Sequence, residues 1–313
     1  MRRWDFRLVP SERSLEAVGK SVRLHIIGRS KAFDLFPRTH KGKNRCVLRK
    51  KHALINSREP LLKSDINLEQ SSQPVVDAKT EKLIGAEALI RWKNDKYGMV
   101  PPDEFIPILE KDPLFPVLGE WILHTAMTDA KKIQEILPDF IINVNLSYAQ
   151  LERPDFTDSV WNIVKNTGFD PQRLCLEITE RCRLLDMKLL NNVMTTLRAG
   201  GIRIALDDFG TGFSSIGLLK NLPFDTIKVD RGFVQKIEED DREQRLVYNF
   251  TDAASIFGSD VCVEGIETSG MRNILKEMSI HSFQGYFYSK PVEVGTIISG
   301  LKSESGEMCF KKP

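Results

Sequence analysis

The sequence is poor in the residues that bind soft metals or build disulfides. Its five cysteines, Cys46, Cys175, Cys182, Cys262 and Cys309, contain no CxxC pair, which excludes a zinc ribbon or a thioredoxin-like redox motif. Cys175 and Cys262 lie inside apolar runs, where a thiol behaves as a small hydrophobe, so a reducing compartment is expected. The five histidines, His25, His40, His52, His124 and His281, have no partner at metal-ligand spacing. No apolar run approaches the roughly 20 residues that span a bilayer, and the charged opening MRRWDFRLVPSERS lacks the apolar segment of a secretory signal. A soluble, cytoplasmic chain is the expectation. No GxGxxG follows the first strand, which counts against a dinucleotide-binding sheet.

What is present is enough apolar material, 41% of 313 residues, for one large core or two small ones. The net charge of +2 hides an asymmetry: residues 1–52 carry 15 Lys and Arg against 4 Asp and Glu, leaving 30 against 39 in the remainder. A basic head thus precedes an acidic body whose carboxylates are suited to cations. The expected organisation is a basic N-terminal extension over 1–52, partly without fixed structure, one main domain over 53–305 and a tail over 306–313.

From about residue 140 the chain alternates short β-branched or apolar runs with longer helical stretches. The runs are FIINVNL (140–146), RLCLEI (173–178), IRIALD (202–207), DTIKVD (225–230) and DVCVEGI (260–266). Between them, LLDMKLLNNVMTTLRAGG repeats Leu189, Leu190, Val193, Met194 and Leu197 at helical spacing and stops at Gly200 and Gly201. Strands alternating with helices imply a parallel sheet covered on its faces, and the number of units favours a (β/α) barrel over a doubly wound sheet. Upstream, 74–92 reads as a hairpin. The stretch after it is a proline-started helical region in which Pro113 and Pro116 separate two helices.

Acids and amides recur where strands end: Glu87, Asn145, Glu177 with Glu180, the pair Asp207 and Asp208, Lys228 and Asp230, Glu264 with Glu267, and Gln284. A lone acid at such a place most often caps the next helix, Asp208 being the clearest case, and Lys228 also reads as a lysine snorkelling at a strand end. GTG at 210–212 reads as a turn. In a parallel barrel, however, strand C-termini meet on one rim. Carboxylates crowded there raise one another's pKa unless a cation sits among them. An all-oxygen set of Glu, Asn, Glu and Asp suits Mg²⁺ or Mn²⁺, and the adjacent aspartates suit a two-ion phosphodiesterase site.

The segments EALIRW (87–92), NVNLS (143–147), LEITE (176–180), DDFGTGFSS (207–215), IKVD (227–230), VEGIET (263–268) and QGYFYSKPV (284–292) resemble, in order and spacing, the EAL domain family of cyclic di-GMP phosphodiesterases. The resemblance covers roughly 66 to 300. It implies an α/β fold of the modified TIM (β/α)8 barrel type and hydrolysis of cyclic di-GMP to linear pGpG with two Mg²⁺ or Mn²⁺ ions. It further implies Glu87, Asn145, Glu177 and Asp207 as ligands of one ion, with Asp207 bridging to a second that Asp208 also holds. Lys228 resembles the family's lysine beside the attacking water, and Glu264 the acid that steadies the metal–water network. Arg91, Leu89 and Gln284 resemble substrate contacts, Arg91 at a phosphate. Glu180 and Glu267 are similar to glutamates that anchor the loop 209–215, and a homodimer through the barrel is implied.

Departures from the family pattern, namely serines before Gln73 and Pro74, two prolines in 109–123 and Val263 beside Glu264, remove no ligand. Two other readings stand beside the enzyme. A silent receptor for the same dinucleotide would usually lack one of these acids. A scaffold whose basic head, around RTHKGKNRCVLRKKH (38–52), contacts nucleic acid, an anionic membrane surface or a protein would bind in a salt-dependent way.

Overall fold

The computed structural model describes residues 66–94, 98–112, 115–211 and 215–302, together with the backbone of two strands at 13–18 and 21–26. The rest of the basic head, the tail and the pre-barrel stretch RKKHALINSREPLL lie outside the described residues. The chain divides into two compact units, 1–69 with 90–115, and 70–89 with 116–313.

In the first unit, β1 (Arg13–Val18) and β2 (Ser21–Ile26) pair antiparallel, so two strands fall within the basic head where no sequence period is legible. Strand β2 also pairs with the start of β3 (Ile66–Asp77). The far end of β4 (Leu83–Asn94) pairs antiparallel with β5 (Gly98–Val100), and Trp92 meets Phe105 of α1 (Pro102–Leu109) edge-on at 5.8 Å. Proline opens α1 at its first turn, where the missing N–H has no helical acceptor in any case.

The second unit is a closed eight-stranded barrel. Its order is β3, β11 (Ser282–Gln284), β10 (Asp260–Val263), β9 (Thr226–Val229), β8 (Arg203–Phe209), β7 (Leu174–Thr179), β6 (Ile141–Leu146) and β4, which pairs back to β3. All neighbours from β4 through β11 run parallel, and β3 runs antiparallel to β11. The modification of the TIM plan follows from the 74–92 hairpin. Its turn is closed by Asp77, whose carboxylate accepts from the Lys79 and Thr80 backbone amides, and a two-stranded hairpin cannot supply two parallel strands.

Helices α2 (Phe115–Gln134), α3 (Tyr148–Leu151), α4 (Phe156–Thr167), α5 (Met187–Ala199), α6 (Ser215–Asn221), α7 (Asp241–Phe257), α8 (Ser269–Lys276) and α9 (Val294–Leu301) follow in turn. Pro116 sits in the first turn of α2. No helix among the described residues is long and apolar enough to cross a membrane. In α5 the expected face is buried at Leu190, Val193, Met194 and Leu197, but Leu189 is exposed. It lies in the first turn, where Asp186 accepts from the amides of Lys188 and Leu189 and sets the rotation of the helix.

The strands read as continuous apolar runs, yet their two faces differ. Leu174, Leu176, Ile178, Ile204, Leu206, Ile227, Val229, Val261 and Val263 join the core shared with the helices. The alternate residues, Cys175, Glu177, Ala205, Asp207, Thr226, Lys228 and Cys262, are small or polar and turn toward the barrel axis. A barrel of this kind ordinarily fills its interior with branched aliphatic side chains, so the polar lining marks where the chemistry lies. As a check on the local reading, Asp186→Ala removes the α5 cap and is expected to cost about 1 kcal/mol, seen as a lower urea midpoint with an unchanged m-value.

Candidate active site

At the C-terminal ends of the barrel strands, one lysine stands among four carboxylates. Lys228 is 1% exposed. Its Nζ donates to Glu177 Oε2 at 2.9 Å and Glu87 Oε2 at 3.2 Å, and lies 2.6 Å from Glu264 Oε1 and 3.4 Å from Asp207 Oδ1. The snorkelling alternative is thereby set aside: this ammonium faces inward and is fully engaged. Glu87 also accepts from Asn145 Nδ2 at 2.5 Å and Gln284 Nε2 at 2.7 Å. Residues nearly two hundred positions apart therefore meet because parallel strands carry their C-termini to one end.

Asp207 and Asp208 would point to opposite faces of a regular strand. Here the β8–β9 register shifts between Leu206 and Phe209, and Asp208 adopts φ = 55°. This bulge breaks the alternation, so the consecutive carboxylates are not forced to opposite faces, while Phe209 returns to the core against Phe250 at 5.2 Å. The Asp208 carbonyl accepts from the amide and hydroxyl of Thr211, and the segment leading into α6, where a cap would act, lies outside the described residues. Asp230 does behave as a cap, accepting from the Gly232 amide in the short turn after β9.

Glu180, buried at the end of β7, accepts from the Gly210 amide at 3.1 Å and so holds the start of the loop after the aspartate pair. Gly210 has φ = 97°, and a Cβ there would sit 2.7 Å from the Phe233 ring, so glycine is required both by conformation and by space. The role of Phe233 and Phe250 in shaping this loop has no sequence signal, because neither stands at a strand end. Residues 212–214 of the loop lie outside the described ones. Glu267 is exposed and enters none of the contacts above. Leu89 is half-buried, its carbonyl accepting from Ser71 Oγ at 3.4 Å. Arg91 belongs to the first unit, where its guanidinium donates to the Ile90 carbonyl.

The electrostatics explain why this cluster calls for cations. Burial, with neighbouring carboxylates adding to it, pushes Glu177 and Asp207 above the usual range, Glu264 up to about 8 and Asp208 up to about 6. Glu87 alone is held down, its burial outweighed by Lys228 and by its amide donors. One ammonium cannot neutralise five acids. Two buried oxygens, Glu177 Oε1 and Asp207 Oδ1, accept no hydrogen bond.

Among the described residues, no group of three or more His, Cys, Asp and Glu side chains is arranged to hold a metal ion as it stands; the lysine occupies the point on which the carboxylates close. The donor chemistry nonetheless fits a hard divalent cation, since the available ligands are carboxylate and amide oxygens, and the buried Glu177 Oε1 lacks a donor. The raised carboxylates bind protons that the unfolded chain releases between about pH 4 and pH 8, so the metal-free fold loses stability as pH rises through that window. Mg²⁺ or Mn²⁺ competes with those protons. Thermal melts are expected to show a larger stabilisation by either ion at about pH 8 than at about pH 5, reaching about 2.7 kcal/mol when the ion is at a hundred times its Kd; an equal shift at both values would contradict this account.

Comparison with known proteins agrees with this architecture. A family model described as the EAL domain matches residues 62–291. An uncharacterized signaling protein of Caulobacter vibrioides is 38% identical over 225 residues, covering 72% of this chain and 27% of the relative. The PaMucR phosphodiesterase, solved as a c-di-GMP complex, superposes with a TM-score of 0.69 at 31% identity, covering 79% of this chain and 98% of that one. BlrP1 of Klebsiella pneumoniae, solved with manganese and cyclic di-GMP, superposes with a TM-score of 0.63 at 26% identity, covering 72% and 56%. The chain spans only about a third of the length of the curated relatives it matches, 27% and 36% in two of them.

Proposed function

The chain belongs to the EAL domain family, and from that premise we propose that it is a metal-dependent phosphodiesterase that opens cyclic di-GMP to linear pGpG. The observation that carries the reading is the Lys228 cluster, in which four strand-end carboxylates surround one buried ammonium and two of their buried oxygens accept no hydrogen bond. The acid set that a silent receptor would usually have lost is complete.

In this reading Glu87, Asn145, Glu177 and Asp207 would hold one Mg²⁺ or Mn²⁺, and Asp207 and Asp208 would hold a second. When bound, such ions supply Lewis acidity toward a phosphodiester and lower the pKa of water. The chain's own residues do the rest. Lys228, giving up the centre of the carboxylates to the ion, would place its positive charge where negative charge develops as water adds to phosphorus and the ester P–O bond breaks. Glu264, 2.6 Å from that ammonium, fixes its position. The Gln284 amide and Leu89 line the dinucleotide, Arg91 pairs with a phosphate oxygen, and Glu180 steadies the loop after the aspartates through the Gly210 amide.

Assembly follows as a further part of the proposal. Leu184, Ile216 and Tyr248 are exposed at 74%, 58% and 61% on the neighbouring 180–184 turn, α6 and α7, and they favour a homodimer through this side of the barrel. Cytoplasmic placement suits a cytoplasmic second messenger. Any contact of the basic head with nucleic acid, a membrane surface or a protein adds to the enzymatic reading without replacing it.

The test is turnover of cyclic di-GMP with Mg²⁺ or Mn²⁺ beside Asp207→Asn and Asp208→Asn. Wild type is expected to yield pGpG, and each variant to fold normally and lose at least about a hundredfold in rate, the scale of one lost charge-stabilising group. Tight binding of intact dinucleotide without cleavage under either ion would replace the enzyme with the receptor reading. A second check concerns the loop: Glu180→Gln retains an acceptor for the Gly210 amide and is expected to keep most activity, whereas Glu180→Ala is expected to lose it through weaker ion binding.

A further inference from the structure

A cavity lies at the opposite end of the barrel from the carboxylates. It has a volume of about 90 Å³; Val75, Ile84 and Ile141 give it an apolar stretch of wall, and it is otherwise lined by Asn143, Cys175, Ala205, Thr226, Cys262 and Ser282, with Lys228 at its inner limit. These residues sit one step back along the strands from the cluster. Cys175 precedes Glu177, Ala205 precedes Asp207, Thr226 precedes Lys228 and Cys262 precedes Glu264, each by two residues on the same face. Where branched aliphatic side chains would normally fill the barrel, these positions carry thiols, hydroxyls, an amide and a methyl.

The mouth is polar and partly open. Arg203 Nη2 donates to Asp260 Oδ2 at 2.9 Å, and His281 Nε2 lies 3.2 Å from Asp260 Oδ1. The Val261 amide donates to His281 Nδ1 at 3.0 Å, which puts the imidazole proton on Nε2, toward the aspartate. Side chains of Arg203, Asp260 and His281 are 33%, 44% and 55% exposed, so the mouth is in contact with solvent.

We propose that this cavity is a water-binding chamber: an ordered cluster of several waters, held by Asn143, Thr226 and Ser282, that enters the barrel from the strand N-termini and ends on Lys228. A water needs roughly 10–15 Å³ of such volume and two to four polar partners; the volume suffices for several, and Asn143, Thr226 and Ser282 offer the partners between the apolar stretches of wall from Val75, Ile84 and Ile141. The chamber gives the barrel interior a solvent entrance that a ligand on the carboxylate rim leaves open. It also accounts for the small polar layer, which packing alone would select against. The inference does not depend on the catalytic reading.

The test uses the whole chain. Crystals of wild type resolved well enough to show solvent are expected to hold waters within hydrogen-bond distance of Asn143, Thr226 and Ser282, and xenon pressurisation is expected to leave the chamber free of xenon. Xenon density there, or a chamber without solvent density, would overturn the proposal. Thr226→Val gives an independent reading: loss of a water partner lowers the melting temperature, whereas in a dry cavity the apolar isostere would raise it.

Discussion

Everything at the carboxylate end of the barrel depends on one ammonium group. Lys228 Nζ is within ion-pair distance of Glu87, Glu177, Asp207 and Glu264, contributed by five different strands or strand ends once the lysine is counted. Burying a single carboxylate costs several kcal/mol after relaxation, so four around one cation is affordable only as an incomplete solution. The incompleteness is visible in the pKa directions, upward for Glu177, Asp207, Asp208 and Glu264 despite the lysine. A fold that keeps such an arrangement is poised to take up positive charge, which is the physical content of the metal-dependent reading.

The same constraint shapes the rest of the barrel. Because the interior must accommodate charge and solvent, apolar burial moves to the outer faces of the strands, where Ile204, Leu206, Ile227 and Val229 meet residues such as Leu190, Met194, Val247 and Leu275 of the surrounding helices. The hydrophobic effect of roughly 25 cal/mol per Å² of buried apolar surface is thus concentrated in the helix–strand layer. The strand interior is freed for function, and the helices become indispensable to strands that cannot form a core with one another.

Much of this was legible in the sequence. The β/α alternation from 140 onward, the helix stop at Gly200, and the recurrence of acids at strand ends each follow from local chemistry. Other features were hidden because they arise from pairing between distant segments. The bulge at Asp208 depends on the offset between β8 and β9, and the sequence offers only two adjacent aspartates, for which a cap is an equally good reading. The alternation of faces was masked as well. Cys175, Ala205 and Cys262 count as apolar in any run, yet they line a cavity while their neighbours fill the core.

The bulge deserves weight as a mechanism for adjusting the site. Asp208 accepts the left-handed conformation at φ = 55°, which costs an ordinary residue about 1 kcal/mol or more but costs aspartate less. The strain is offset where Thr211 caps its carbonyl and where Phe209 locks into Phe250. Immediately beyond, Gly210 is held by Glu180 on one side and pressed by Phe233 on the other. Position of the second aspartate is therefore set jointly by the core through Phe209, by β7 through Glu180, and by the segment after β9 through Phe233. A change in any of these three supports acts on the backbone that sets Asp208.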